Sequence, residues 1–152
     1  MEEKIIELGT YCVEHDISLE DLKQIRKELQ DEKLKSDALH NEHFQKFLDV
    51  KNKRLISGNL KIDFFQNQVK KGNKLISIHE SELLILQMMM ANSRKTIKDE
   101  EILKLLKNYG YDIGFKSMIV YISRITHKIG GNYIKRHWKQ GYYWNIKVTI
   151  QE

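Results

Sequence analysis

The sequence predicts an α+β domain: a short antiparallel sheet, three helices and a C-terminal β-hairpin, preceded by a helical N-terminal segment. Three observations carry this expectation. From Leu55 to Ile78 apolar residues follow the period-two alternation of half-buried strands. From Leu83 onward they recur at helical spacing in three successive stretches. Residues 133–146 are then rich in aromatic and β-branched side chains on either side of Lys139, Gln140 and Gly141, the pattern of a hairpin with a glycine turn.

In chain order, Glu2 to Glu14 fits a first helix, with Ile5, Ile6, Leu8 and Val13 apolar and Gly9 a weak point. A second begins near Ser18, which with Asp21 three residues on makes a helix start signal. Leu19, Leu22, Ile25 and Leu29 follow at helical spacing. Beyond Gln30 the run DEKLKSDALHNEH is polar, and periodicity lapses until Phe44, Phe47 and Leu48. The apolar seam spans too few heptads to define a coiled coil. A helical cap packed on the main domain and a dimerisation or partner-binding arm both remain open. The expected division is a helical segment over residues 1–57 and a folded domain over residues 58–152.

Leu60, Ile62 and Phe64 alternate with polar neighbours, Lys70 to Asn73 contains a glycine turn, and Leu75, Ile76 and Ile78 follow. These are short antiparallel strands. Ser77 with Glu80, and Thr96 with Asp99, are capping-box pairs that would open two helices. The first, with Leu83, Leu84, Leu86, Met88 and Met89, is apolar enough to be core. The second, with Ile102, Leu103, Leu105 and Leu106, stops before Gly110. A loop through Tyr111 and Gly114 leads to the third helix, where Met118, Ile122, Ile125 and Ile129 form one apolar stripe. At about 100° per residue, the opposite face carries Lys116, Val120, Ser123, Arg124 and His127. Gly130 and Gly131 end the helix where a left-handed C-terminal residue is needed.

The net charge of +5 is unevenly spread. Residues 1–57 hold 13 acids and 10 bases, whereas residues 113–152 hold 7 bases and one acid, Glu152. A helix and a hairpin sharing one uncompensated positive field suit a polyanion. The longest apolar run, Leu83 to Ala91, is nine residues interrupted by Gln87, well short of the roughly 18 that a membrane helix requires. The opening MEEKIIE lacks the basic start and apolar centre of a signal peptide, so a cytoplasmic protein without membrane contact is expected. Cys12 is the sole cysteine, which excludes an internal disulfide and a metal cluster and fits a buried structural thiol. No third ligand stands at metal spacing from His127 or His137, so neither metal nor cofactor is expected. There is no nucleophile elbow, glycine-rich phosphate loop or carboxylate pair in an apolar setting. Glu100 and Glu101 begin a helix, where acids favour the dipole. An enzyme is not expected.

Four stretches, HESELLILQMM, KDEEILKLL, VYISRITHKIG and YIKRHWKQGYYW, together with the spacing between them, resemble the OmpR/PhoB-type winged helix-turn-helix, the DNA-binding half of many bacterial response regulators. The resemblance covers about residues 58–147. It implies a four-stranded sheet ahead of three helices, with the third helix in the major groove of double-stranded DNA and the hairpin, or wing, at the minor groove. Carried over by position, it implies that Arg124 reads bases, Val120 makes apolar base contact, Lys116 opens the helix as its basic residue, and Tyr142 is the wing tyrosine beside Gly141. The family's second basic reader falls on Thr126, a usual acid on Ile119, and the wing arginine on Trp138 with Lys139 beside it. These departures leave the docking mode intact but do not transfer a target sequence. The family's phosphoryl-accepting receiver is not expected among residues 1–57, which read as helical without alternating strands.

The residues themselves support this site. An isolated helix fits the major groove, where arginine bonds bidentately to guanine and an aliphatic side chain meets a thymine methyl. Arg124 and Val120 are therefore the leading base contacts, with Ser123, Thr126 and His127 alongside; partial burial of Val120 under the wing is the alternative. Lys116, Lys128, Lys135 and Tyr142 are assigned to the sugar–phosphate backbone. Arg136, Trp138 and Lys139 mark the wing, whose basic residues suit a narrow minor groove. Trp138 either packs back on the sheet or lies against sugar and backbone. Three functions remain open: a sequence-specific transcriptional regulator with homodimer or RNA polymerase contacts through its N-terminal helices; an accessory protein of plasmid transfer, phage or replication serving other DNA-processing machinery; and a winged-helix protein-interaction module.

Overall fold

The computed structural model describes residues 19–38 and 41–151. The first helix expected, Glu2 to Glu14 with Cys12, and the start signal at Ser18 lie outside the described residues. Strands β1 (Arg54–Ser57), β2 (Leu60–Asp63), β3 (Gln68–Lys71) and β4 (Lys74–Ile76) form an antiparallel meander. Its register lines up Leu55, Ile62, Val69 and Ile76 across the four strands. Leu55, Ile62 and Val69 in this row are buried, while Arg54, Lys61 and Lys70 are exposed. Period-two alternation puts the two sets on opposite faces of the pleat.

Four helices follow the order α1 (Leu19–Ala38), α2 (Glu42–Asp49), then after the sheet α3 (Glu80–Ala91) and α4 (Asp99–Asn108); α5 (Phe115–Ile129) completes the helical set. Strand β5 (Ile97–Lys98) precedes α4, and β6 (Ile134–His137) and β7 (Gly141–Trp144) form the hairpin after α5. They make a second sheet in the order β5-β7-β6. The last strand, β8 (Thr149–Gln151), returns to pair antiparallel with β1, so the first sheet has five strands, not the four expected. The β-branched run at 148–150 carried that signal, but a three-residue strand is set by its partner more than by its own pattern.

Every residue of α3 from Ser81 to Met90 is buried. A helix apolar on all sides must be surrounded, and α2, α4, α5 and β7 all pack on it. Each fully buried Leu, Ile or Met there contributes about 1.5–3 kcal/mol. Two amides inside this packing donate to backbone carbonyls: Gln87 to that of Phe47 at 2.7 Å, and Asn92 to those of Met88 and His43 at 2.9 and 3.1 Å.

Several expectations need correction. β1 begins at Arg54, ahead of residue 58, and Phe44 and Phe47 of α2 are buried in the same core as α3. Asn41, whose side chain accepts from the backbone N–H of His43 and Phe44, starts α2. Neither Ser77 nor Thr96 caps a helix. Instead α3 starts after His79 and α4 after Lys98, each with a glutamate reaching back to the preceding N–H, Glu82 to His79 at 3.2 Å and Glu101 to Lys98 at 3.3 Å. The acids that reach back are Glu82 and Glu101, not the Glu80 and Asp99 of the expected pairs, and just after Thr96 the residues Ile97 and Lys98 are drawn into strand pairing with β7. Polar residues beyond Gln30 do not end α1, which runs on to Ala38 through good helix formers such as Glu, Lys and Leu.

The helical segment is fastened to the domain through Asp31 of α1. Its carboxylate is buried, accepts a 2.5 Å hydrogen bond from the Tyr109 hydroxyl at the end of α4, and pairs with Lys51 after α2. Burial, reinforced by this bond, pushes the Tyr109 hydroxyl well above its ordinary pKa. The unity of α2 with the core has a measurable consequence: Phe47→Ala should lower unfolding free energy by about 3–5 kcal/mol in urea titrations. A loss under 1 kcal/mol would return α2 to the status of a dispensable cap.

Candidate nucleic-acid interface

Helix α5 buries Met118, Ile122, Ile125 and Ile129 on its inner stripe. That leaves Lys116, Val120, Ser123, Arg124 and His127 exposed on the outside, as the 3.6-residue period requires. Val120 is 47% exposed. Arg124 makes no ion pair among the described residues, and its guanidinium is available to an outside acceptor. The helix ends at Gly130, whose φ of 108° and ψ of 155° are ill suited to an L side chain. The ammonium of Lys71, the last residue of β3, lies 3.3 Å from where a Cβ of Gly130 would stand, at the end of the helix where the dipole favours a cation.

The hairpin is held to the body at its base. Ile134, Tyr133, Tyr142 and Trp144 are buried, the Trp144 indole N–H donates to the Ser57 hydroxyl at 2.9 Å, and its ring packs on Tyr133 with centroids 5.3 Å apart. Midway along, Arg136 makes two hydrogen bonds to Asp99, at 2.6 and 3.0 Å, from the start of α4. The same guanidinium stands 4.6 Å from the Tyr142 ring centroid and 5.9 Å from that of Phe115, the first residue of α5. The hairpin thus flanks the N-terminal end of α5. Asp99 holds the Arg136 guanidinium more firmly protonated than usual, and burial raises the Tyr142 hydroxyl pKa against the nearby Arg136 charge. At the strand junction, a Cβ on Gly141 would lie 1.9 Å from the Ile97 carbonyl oxygen; only glycine lets β7 pair this closely with β5. The tip is a three-residue turn, Trp138 to Gln140, between the paired His137 and Gly141, with Trp138 76% exposed.

Acid-free in sequence, the C-terminal stretch is not uncompensated in space. Two of its seven Lys and Arg residues meet carboxylates from elsewhere: Arg136 pairs with Asp99 and Lys128 with Glu82. The second pair is the more consequential. Glu82 is 2% exposed in the first turn of α3, and Lys128, in the last turn of α5, donates to it at 2.7 Å. Lys128 is therefore a strut that sets the helix on the core.

The other assignments sort as follows. Arg124, Val120, Ser123, His127 and Lys116 share one open face, with Lys139 and Trp138 at the hairpin tip. Thr126 is half-buried, and its hydroxyl donates to the Ile122 carbonyl at 2.9 Å, so its polar group is already used within the helix. Tyr142 is buried beneath Arg136, which makes its ring part of the wing's support. Lys135 is half-buried on β6. The supporting acids, Asp99 and Glu82, were missed as partners because each lies far in sequence from the base it meets. Among the described residues no group of His, Cys, Asp or Glu could hold a metal ion, and no helix is long and apolar enough to cross a membrane.

An exposed helix on a three-helix core, flanked by a hairpin and backed by an N-terminal sheet, defines a winged helix-turn-helix. Residues 72–144 match the family of C-terminal domains of transcriptional regulatory proteins; this part of the chain is an OmpR/PhoB-type DNA-binding domain, a family of DNA-binding regulators and not of enzymes. Among solved structures, the RstA DNA-binding domain of Klebsiella pneumoniae in complex with the RstA box is 25% identical with a TM-score of 0.54, covering 60% of this chain and 96% of that one. The response regulator DrrB of Thermotoga maritima, an OmpR/PhoB homologue, is 25% identical with a TM-score of 0.56 over 71% of this chain and 52% of DrrB. The chain therefore spans about half the length of that regulator. The C-terminal domain of the nisin resistance regulator NsrR shares the fold at 20% identity and a TM-score of 0.51, covering 59% of this chain and 94% of that domain. No protein of curated function matches the sequence.

Two substitutions probe the supports. Lys128→Ala leaves the Glu82 carboxylate buried without its cation and should cost on the order of 2–3 kcal/mol of stability. The double change Glu82→Leu with Lys128→Met should recover most of it in the same denaturation series, and failure to recover would show that packing rather than charge carries the cost. Gly141→Ala should cost about 3 kcal/mol by overpacking, with hydrogen exchange faster at Tyr142 than in α3; uniform protection would contradict a local role.

Proposed function

We propose that this chain is a sequence-specific double-stranded-DNA-binding protein that regulates transcription in the bacterial cytoplasm, with α5 in the major groove and the hairpin at the adjacent minor groove. The observation that carries the reading is Arg124: exposed at the middle of α5, free of any ion pair among the described residues, and set between aliphatic Val120 and hydrogen-bonding Ser123 and His127. That combination of a bidentate donor with an apolar neighbour suits guanine next to thymine in the major groove. Its likeness to a domain solved with the RstA box supports the same partner. Lys116 and Lys139 would position the duplex through phosphates.

Control would run through α1 and α2 by homodimerisation or contact with a partner such as RNA polymerase, rather than by aspartyl phosphorylation. In support, the described residues between 19 and 50 form two helices and no strand, unlike an alternating receiver, and α1 is anchored through Asp31 to the end of α4.

Selection from a random DNA pool supplies the test duplex. Arg124→Ala should then weaken binding by about 1–3 kcal/mol and relax preference at one base pair, whereas Lys116→Ala should weaken all sequences alike and reduce the salt slope by about one. If Arg124→Ala bound the selected site as tightly and as selectively as the wild type, the reading would be wrong.

A further inference from the structure

The hairpin tip carries a feature that neither base reading nor phosphate neutralisation uses. We propose that Trp138 is a minor-groove wedge, an indole that lies against the deoxyribose walls, partly enters a flexible base step and bends the duplex. The inference rests on the DNA-binding reading above but can fail without it.

A single exposed apolar residue is ordinary on a protein surface; the support of this one is not. Strand pairing holds β6 and β7 up to His137 and Gly141, and the Gln140 N–H closes the turn on the His137 carbonyl at 3.0 Å. Below the tip, Arg136 is clamped bidentately on Asp99, and Gly141 abuts the Ile97 carbonyl. The indole is therefore carried on a stiff, doubly braced finger, yet it remains 76% exposed. A tryptophan free to fold back on its own sheet would lose most of that exposure, as Trp144 has, with none left.

The partner's chemistry follows from what surrounds the ring. Lys139 occupies the left-handed region, φ 58°, and its ammonium lies 4.5 Å from the Trp138 ring centroid. One face of the indole thus carries a positive charge, while much of the ring stays open. No acid occurs in the hairpin, and Lys135 and His137 stand on the strand leading to the tip. A surface that accepts an apolar plate and a cation at the same point has apolar walls edged by anions. The minor groove offers that combination, with sugar rings inside and phosphates along the rim. Trp138 lies two residues beyond Arg136, roughly 7 Å along a strand, so the ring extends past the contact of the hairpin with Phe115 at the start of α5. Apolar side chains inserted from the minor groove unstack base steps and kink the helix. A preference for easily deformed pyrimidine–purine steps beneath the tip would follow, at positions that no side chain reads by hydrogen bonding.

The chain's two tryptophans make the test direct, since Trp144 is buried and Trp138 is not. With the duplex selected by the wild-type protein, saturation should shift Trp138 emission and shield it from acrylamide, and Trp138→Phe should abolish both changes. Trp138→Ala should lose about tenfold in affinity and most of the bend measured by circular permutation, with Trp138→Phe intermediate, at an unchanged unfolding midpoint. The wedge is overturned if acrylamide reaches Trp138 equally in the free protein and the complex, or if Trp138→Ala bends the duplex as the wild type does while Arg124→Ala still loses selectivity. The DNA-reading function then survives. Shielding of Trp138 that depends on protein concentration without DNA also overturns it, in favour of a contact between copies. Failure to select any duplex would remove both readings.

Discussion

The structure depends on one constraint: helix α3 has no face that tolerates water. From Ser81 to Met90 it is buried on all sides, so every other element must be placed to cover it. Helices α2, α4 and α5 and strand β7 make a shell around it, the buried row of the first sheet belongs to the same core, and the apolar stripe of α5 is one side of that shell. Because interiors are packed at crystal-like density, the depth and rotation of α5 are set by how its four inner side chains meet this core. The outward face is what remains, and Arg124 is at its centre. The geometry of that open face is therefore a by-product of burying α3.

Charge completes what packing begins. The C-terminal quarter carries more cations than its own sequence neutralises, and two of them are diverted into struts. Lys128 reaches the buried Glu82 at the base of α3, and Arg136 clamps the hairpin on Asp99 at the start of α4. Both acids sit in the first turn of a helix, where the dipole already favours a negative charge, so each pair adds to an interaction the helix start provides. Five Lys or Arg residues of the stretch remain outside these pairs. The division separates cations that shape the interface from cations that can meet phosphate, and it explains how a strongly basic surface is held in one arrangement.

Much of this was legible in the chain itself. The stripe at Met118, Ile122, Ile125 and Ile129 and the open face around Arg124 follow from a 3.6-residue period, and periodicity is a local property. The meander from β1 to β4 likewise followed from alternation and its glycine turns. What failed was local evidence at element ends. Ser77 and Thr96 have the chemistry of helix caps, yet pairing with β7 takes Ile97 and Lys98 into a strand and moves the helix start to Asp99. Phe44 and Phe47, ahead of the sheet, belong to the core because α3 needs covering, a demand made some 40 residues further along.

By itself, then, the amino-acid order determined the types of element, the inward and outward faces of α5 and the excess of positive charge at the C-terminal end, since each depends on residues a few positions apart. Only tertiary structure decided which of those charges are spent on Glu82 and Asp99, that Tyr142 supports the wing while Trp138 stands clear of it, and that β8 joins the first sheet. These outcomes depend on contacts between distant segments, whose geometry is set by the packing around α3.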